Sequence, residues 1–154
     1  MTVRSQSNTD QCQNDALGQG EWPYFYAMSQ HRILVPVDFT PVSISAVNHA
    51  VAVGNVYNSE IHLLHIVGGK QEIAEARERL TQFAEQHLQD FKGTTRSTAR
   101  IGNLFDDIDD VSVEMEANLV IMGTHGMKGM QFITGGRALK IVRECSVPFI
   151  ITQS

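Results

Sequence analysis

Four short apolar runs, separated by segments with helical periodicity, constrain the fold more than any other feature of the chain. The runs are Ile33–Val37, Ile61–Val67, Leu119–Met122 and Val147–Ile151. Strands that are apolar on both faces are typical of a parallel sheet covered by helices on both sides. Strict alternation of strand and helix joins parallel strands by right-handed crossovers. The sequence therefore predicts an α/β domain.

Helical patterns fill the intervals between the runs, because apolar residues recur there at spacings of three and four. The predicted helices cover Ser43–Tyr57, Gln71–Phe91, Leu104–Met115 and Arg137–Glu144. The polar, β-prone segment Thr94–Arg100 suits a short strand at the edge of the sheet. It brings the predicted sheet to five strands.

Length and composition limit the function classes. A chain of 154 residues with 42% hydrophobic and 19% charged residues is expected to form one folded domain. The net charge of −5 argues against nucleic acid or an anionic membrane as a partner. No apolar run reaches the ~18 residues of a membrane-spanning helix. Cys12 and Cys145 form no CxxC pair, so neither a disulfide framework nor a zinc site is indicated, and a cytoplasmic location is predicted.

Residues 1–29 are poor in aliphatic side chains and lack the apolar segment of a secretory signal. They are predicted to be a flexible N-terminal extension or an artificial addition, with residues 30–154 as the folded domain. A cluster of aromatic residues, Trp22–Tyr26, is an exception that would allow docking on a groove of this chain or a neighbouring one.

The apolar run that ends at Met122 opens into a glycine-rich loop. Glycines stand at positions 123, 126, 129, 135 and 136, directly before the helix predicted from Arg137. Glycine lets the backbone approach a ligand closely. The helix end adds unpaired N–H groups and a positive dipole. This arrangement predicts an anion site, and the expected anion is a phosphate.

With these segments in view, Arg32–Gln153 resembles the universal stress protein family, in its nucleotide-binding branch and as a single domain. The resemblance rests on the first strand with its turn, Ile33–Thr40, on Leu63–Val67, on Leu119–Gly126 and on Val147–Ile151. Gly123, Gly126 and Gly136 match the family's glycine spacing. The resemblance implies an open, flavodoxin-like five-stranded parallel sheet of order 3-2-1-4-5, with a ligand crevice between strands one and four.

The resemblance also implies a nucleotide-binding set of nine residues. They are Pro36, Asp38, Val67, Met122, Gly123, His125, Gly126, Gly136 and Arg137. In this set Asp38 would contact the adenosine moiety. The alternative is a structural role, because the sequence Asp38–Pro41 favours a turn that the Asp38 side chain would stabilise. Thr40 is expected to cap the helix that follows. Arg137 stands where the nucleotide-binding branch carries a small hydroxyl.

The leading hypothesis is a stress-response protein that binds ATP, with Mg²⁺, or a related adenine nucleotide, and hydrolyses it slowly at most. No catalytic base or metal-ligand cluster stands out. The alternative is an interaction module of the same fold that binds no nucleotide. A flavin-binding domain is disfavoured, because the loop after strand one is not hydroxyl-rich. Homodimerisation is expected through strand five, whose apolar edge would otherwise leave hydrogen-bonding groups open.

Overall fold

A five-stranded parallel sheet lies at the centre of the computed structural model, which describes residues 31–124 and 145–153. The strands are β1 (Arg32–Pro36), β2 (Glu60–Val67), β3 (Thr95–Ile101), β4 (Leu119–Thr124) and β5 (Phe149–Gln153). Their order is β3-β2-β1-β4-β5, and neighbouring strands pair in parallel. The predicted fold class and strand order are confirmed.

Three helices of the described region pack on the two faces of this sheet. They are α1 (Pro41–Tyr57), α2 (Ile73–His87) and α3 (Leu104–Glu114). The predicted helix over Arg137–Glu144 and the predicted extension over residues 1–29 lie outside the described residues.

Alternation along each strand creates two separate hydrophobic cores. Ile33 and Val35 of β1 face α1 and α2, and they belong to a buried cluster with Val47 and Leu80. Leu34 faces the opposite side of the sheet. There it joins a second cluster of buried residues with Leu64, Ile108, Val111 and Val120. Strands buried on both sides account for the continuous apolar runs in the sequence.

The second helix is shorter than its apolar stripe indicates. The pattern predicts a helix to Phe91, whereas α2 ends at His87. The chain turns at Leu88, whose carbonyl oxygen accepts a hydrogen bond from the Phe91 backbone N–H at 3.1 Å. Phe91 still packs against the core from this turn. Hydrophobic periodicity therefore overestimated the helix, because a loop residue supplies the same burial.

Strand β5 begins at Phe149, two residues later than the predicted start at Val147. Val147 nevertheless packs against the cluster on the α3 side of the sheet. A side chain can thus enter the core before its backbone joins the ladder. β3 and β5 occupy the two edges of the sheet, as predicted.

Candidate functional site

The central strands β1 and β4 diverge toward their carboxyl ends. Their ladder consists of the pairs Ile33–Leu119 and Leu34–Val120, whereas the β1–β2 ladder continues to Pro36–Leu64. Backbone groups of successive residues in a strand point to alternate neighbours. The Arg32 carbonyl accepts a hydrogen bond from the Asn118 backbone N–H, which precedes β4. Every second residue after Arg32 faces the same way, so the backbone of Pro36 also faces β4. Since proline has no N–H, Pro36 cannot donate a hydrogen bond to β4.

The resulting crevice lies where the order of the strands reverses, with β2 on one side of β1 and β4 on the other. In open α/β sheets, ligands bind outside the carboxyl ends of the strands at this point. Pro36, predicted as a site residue, is buried and ends β1 here.

Asp38 is exposed in the turn that follows β1, and its carboxylate organises that turn. The Asp38 Oδ1 atom accepts hydrogen bonds from the Thr40 backbone N–H at 3.1 Å, from the Thr40 hydroxyl at 2.6 Å and from the Ser43 hydroxyl. The Asp38 N–H donates to Ser43 Oγ at 2.9 Å. These bonds confirm the turn role of Asp38 and hold a negative charge at the carboxyl end of β1.

Thr40 occupies the N-cap position of α1, but its side chain makes no capping hydrogen bond. The prediction that its hydroxyl caps the helix is therefore wrong: the hydroxyl is turned toward the Asp38 carboxylate, to which it donates a hydrogen bond. Ser43, which the sequence pattern did not single out, is the second hydroxyl of this arrangement. A serine one turn into a helix that follows an Asp-containing turn is the signal that could have identified it.

On the other side of the crevice, Met122 and Gly123 form the carboxyl half of β4. Met122 is 8% exposed and is therefore a buried residue of the sheet. Gly123 lies against the first turn of α1, and a β carbon at this position would meet the Val42 carbonyl oxygen and approach Val42 Cγ1 to 2.6 Å. The absence of a side chain at Gly123 is thus what lets α1 approach β4.

Val67 ends β2 and is 6% exposed, so its side chain is a core residue at the edge of the site. Phe39, in the turn after β1, forms with His65 and Phe83 an aromatic group that the sequence pattern did not identify. His65 Nδ1 is 2.7 Å from the Val37 carbonyl oxygen. Since a carbonyl oxygen only accepts, Nδ1 carries the hydrogen.

Four residues of the predicted set lie outside the described residues. They are His125, Gly126, Gly136 and Arg137. Within residues 31–124 and 145–153, no group of three His, Cys, Asp or Glu side chains is placed to hold a metal ion. In the same part of the chain, no helix is long and apolar enough to cross a membrane.

The fold is that of an open α/β domain whose strand order reverses between β1 and β4. A family model described as the universal stress protein family matches residues 30–153. The chain belongs to the universal stress protein family. A curated relative, universal stress protein G of Salmonella typhimurium, is 24% identical over 139 residues, which cover 79% of this chain and 97% of the relative.

Solved structures of the family share the fold. A universal stress protein crystallised in complex with cAMP superposes with a TM-score of 0.68 at 15% identity, covering 81% of this chain and 98% of that one. The universal stress protein from Archaeoglobus fulgidus in complex with dAMP superposes with a TM-score of 0.62 at 18% identity, covering 80% of this chain and 97% of that one. At these identities the similarity establishes the fold.

Proposed function

We propose that this chain is a cytoplasmic stress-response protein that binds ATP or a related adenine nucleotide in the crevice between β1 and β4. The observation that carries the proposal is the Asp38 carboxylate, held by three donors at the carboxyl end of β1 beside the diverging strands. The dAMP and cAMP complexes of two proteins with this fold support an adenine nucleotide as the ligand class.

The described residues fit the nucleoside half of such a ligand. A carboxylate has about four acceptor positions, so it can accept from ribose hydroxyls or an exocyclic amine in addition to its own turn. Pro36 and Met122 are buried and provide the walls. We assign the phosphates to the glycine loop that begins at Gly123, together with His125, Gly126, Gly136 and Arg137. Mg²⁺ is commonly bound through phosphates and water rather than by an all-protein cage.

Nucleotide is proposed as a regulatory ligand that is hydrolysed slowly at most. Fast phosphoryl transfer requires a metal holder, a positioned base or water, and cations directed at the γ-phosphate. Asp38 is the acidic group placed in the turn after β1, and its Oδ1 atom is committed to three donors. A carboxylate with that arrangement is suited to binding and poorly suited to accepting a proton from water.

The binding proposal is tested by titrating the protein with ATP, ADP and AMP in a calorimeter, with and without Mg²⁺. We expect Asp38→Asn to weaken binding by about tenfold or more, because hydrogen bonds to a charged group contribute roughly 1.5–3 kcal/mol. Asparagine also suits this turn, so the fold should be retained.

Asp90→Asn is the matched control, since Asp90 lies in the connection between α2 and β3, next to the amino end of β3 and away from the carboxyl ends of β1 and β4. It removes the same charge and should leave affinity unchanged. If Asp38→Asn binds the nucleotide with the same affinity as the unmodified protein, Asp38 does not contact the ligand and the proposed site is wrong. No binding by the unmodified protein would favour the alternative, an interaction module without nucleotide. Arg137→Ser would then test whether a small hydroxyl restores binding.

We further propose that the protein is a homodimer paired through β5. This strand lies at the sheet edge, and its Ile150 and Ile151 side chains are 37% and 48% exposed. The Pro148 carbonyl accepts from Val120 N–H of β4. By alternation the Ile151 backbone groups point away from β4, toward the open edge. An isologous contact between two β5 strands would satisfy them.

Ile151→Pro should convert the dimer into a monomer and leave the fold intact. The N–H that proline lacks at this position points to the open edge, so the hydrogen bonds of the β4–β5 ladder are kept. Proline is tolerated at such a position in an edge strand. Sedimentation velocity at micromolar concentration measures the state, and Ile151→Val is the control. The proposal fails if the unmodified chain sediments as a monomer, or if Ile151→Pro remains dimeric.

A further inference from the structure

The turn between β1 and α1 contains a backbone conformation that bulky residues rarely adopt. Phe39 has a φ angle of 63°, in the left-handed region where the β carbon of an L-residue crowds the backbone. Glycine and asparagine enter this region readily, whereas phenylalanine does not. Such a conformation persists only where the surroundings over-determine it, and residues of this kind concentrate at ligand sites.

Three side chains hold the Phe39 ring in place. The His65 ring lies with its centroid 4.5 Å away, and the Phe83 ring meets it edge-on at 5.5 Å. The guanidinium carbon of Arg79 lies 4.3 Å from the centroid, over the face of the ring. Aromatic pairs and cation–π contacts stabilise at these separations. The ring therefore ties the turn to β2 through His65 and to α2 through the other two residues.

The backbone on either side of Phe39 is fixed as well. Val37 N–H donates to the Leu64 carbonyl at 2.8 Å, and the Val37 carbonyl accepts from His65 at 2.7 Å. On the other side, the Thr40 N–H and hydroxyl both bind the Asp38 carboxylate. The strained residue thus stands between two anchored segments. Its ring is the link that connects both of them to α2.

We propose that Phe39 is a positioning residue for the ligand site. Its clamped ring keeps the turn in the left-handed conformation that fixes the direction of the Asp38 carboxylate. Without the ring, the turn would sample other conformations, and a ligand would have to order it on binding at a cost in affinity. The inference rests on the proposed nucleotide site for its effect on affinity, whereas its effect on the turn is independent of any ligand.

The test compares Phe39→Gly, which removes the ring, with Phe39→Tyr, which keeps it. We expect Phe39→Gly to weaken binding of ATP or AMP by about tenfold, the loss that corresponds to one charge-assisted contact. Phe39→Tyr should bind as the unmodified protein does. Val111→Ala is the control for general loss of stability, because Val111 is fully buried on the opposite face of the sheet. It should lower the unfolding temperature without changing affinity.

Hydrogen exchange at the Thr40 amide provides a readout that needs no ligand, because this amide donates to Asp38 Oδ1. Under native conditions the exchange rate of this amide should be higher in Phe39→Gly than in the unmodified protein. In Phe39→Tyr the rate should be the same as in the unmodified protein. If the unmodified protein binds no adenine nucleotide, the proposed function fails, and faster exchange in Phe39→Gly still supports the role of the ring. Unchanged exchange in Phe39→Gly overturns the inference. So does an equal loss of affinity in Val111→Ala.

Discussion

Gly123→Val should destabilise the protein by about 3 kcal/mol, at the upper end of the range for inserting atoms into a packed interior. A β carbon at this position would meet the Val42 carbonyl oxygen and lie 2.7 Å from its carbonyl carbon. These are backbone atoms of α1, so relief requires the whole helix to move away from β4. Urea unfolding followed by circular dichroism measures the loss.

Gly68 provides the matched control. It follows β2, and the nearest atom to a β carbon there is the Glu72 carboxylate oxygen at 3.7 Å, which is an ordinary contact at the end of a flexible side chain. Gly68→Ala should leave the free energy of unfolding unchanged within ~0.5 kcal/mol, whereas Gly123→Ala should lower it clearly. Equal stability of the two alanine variants would mean that α1 does not rest on β4 as described.

This result bears on the interpretation of Gly123 as a binding residue. A glycine that is required for helix packing cannot be substituted to test ligand contact, because the substitution disturbs the fold first. Loss of nucleotide binding in Gly123→Val would therefore say little about the ligand. Asp38→Asn and Phe39→Gly are the informative variants of this site.

Arg32→Leu is expected to lower the free energy of unfolding by about 3 kcal/mol, as is typical when one partner of a buried ion pair is removed. The Glu60 side chain is 2% exposed and lies between two guanidinium groups, with its Oε1 atom 3.5 Å from Arg32 Nε and 3.1 Å from Arg96 Nε. That oxygen has no well-aligned hydrogen bond, so the two positive charges are its main compensation. The same arginine also donates to the Met115 carbonyl at 3.1 Å.

Arg100→Leu is the control for this prediction. Arg100 pairs with Glu114 at 2.5 Å, but the two side chains are 36% and 62% exposed. Exposed pairs contribute about 1 kcal/mol or less, so this variant should be much less destabilised. Chemical denaturation of the two variants in parallel makes the comparison. Similar losses would contradict the view that Glu60 depends on its neighbours.

His62 offers a spectroscopic check of the same cluster. Burial lowers the pKa of His62; the Glu60 charge raises it, and the Arg96 and Arg32 charges lower it further. Its imidazole therefore stays neutral at pH 7 and adds no positive charge beside Glu60. In Arg32→Leu, one of the charges that lower the pKa is gone. The pKa of His62, followed by NMR titration, should rise.

The strands were predictable because burial on both faces leaves a continuous apolar run, as in Ile33–Val37 and Ile61–Val67. The order of the strands followed from family resemblance, because periodicity identifies strands but not their neighbours. The end of α2 was predicted four residues too late, since Phe91 contributes to the core from a turn.

For the site, the sequence identified Asp38 and Gly123 at the carboxyl ends of the two strands that flank the crevice. It missed Ser43, His65 and Arg79, because their roles depend on contacts made only after folding. The Thr40 prediction was wrong for a related reason. Capping propensity describes a hydroxyl oxygen that accepts from the first N–H groups of a helix, whereas here the hydroxyl is turned toward the Asp38 carboxylate and donates to it.

By itself, the sequence determined an α/β domain with a parallel sheet, because strands buried on both faces and helices with one apolar face leave local patterns of residues. The tertiary structure alone decided the conformation of Phe39, the close packing of α1 against Gly123, and the burial of Glu60 between Arg32 and Arg96. Each of these depends on atoms that are distant along the chain and meet only across the folded sheet. No local pattern of residues records such contacts.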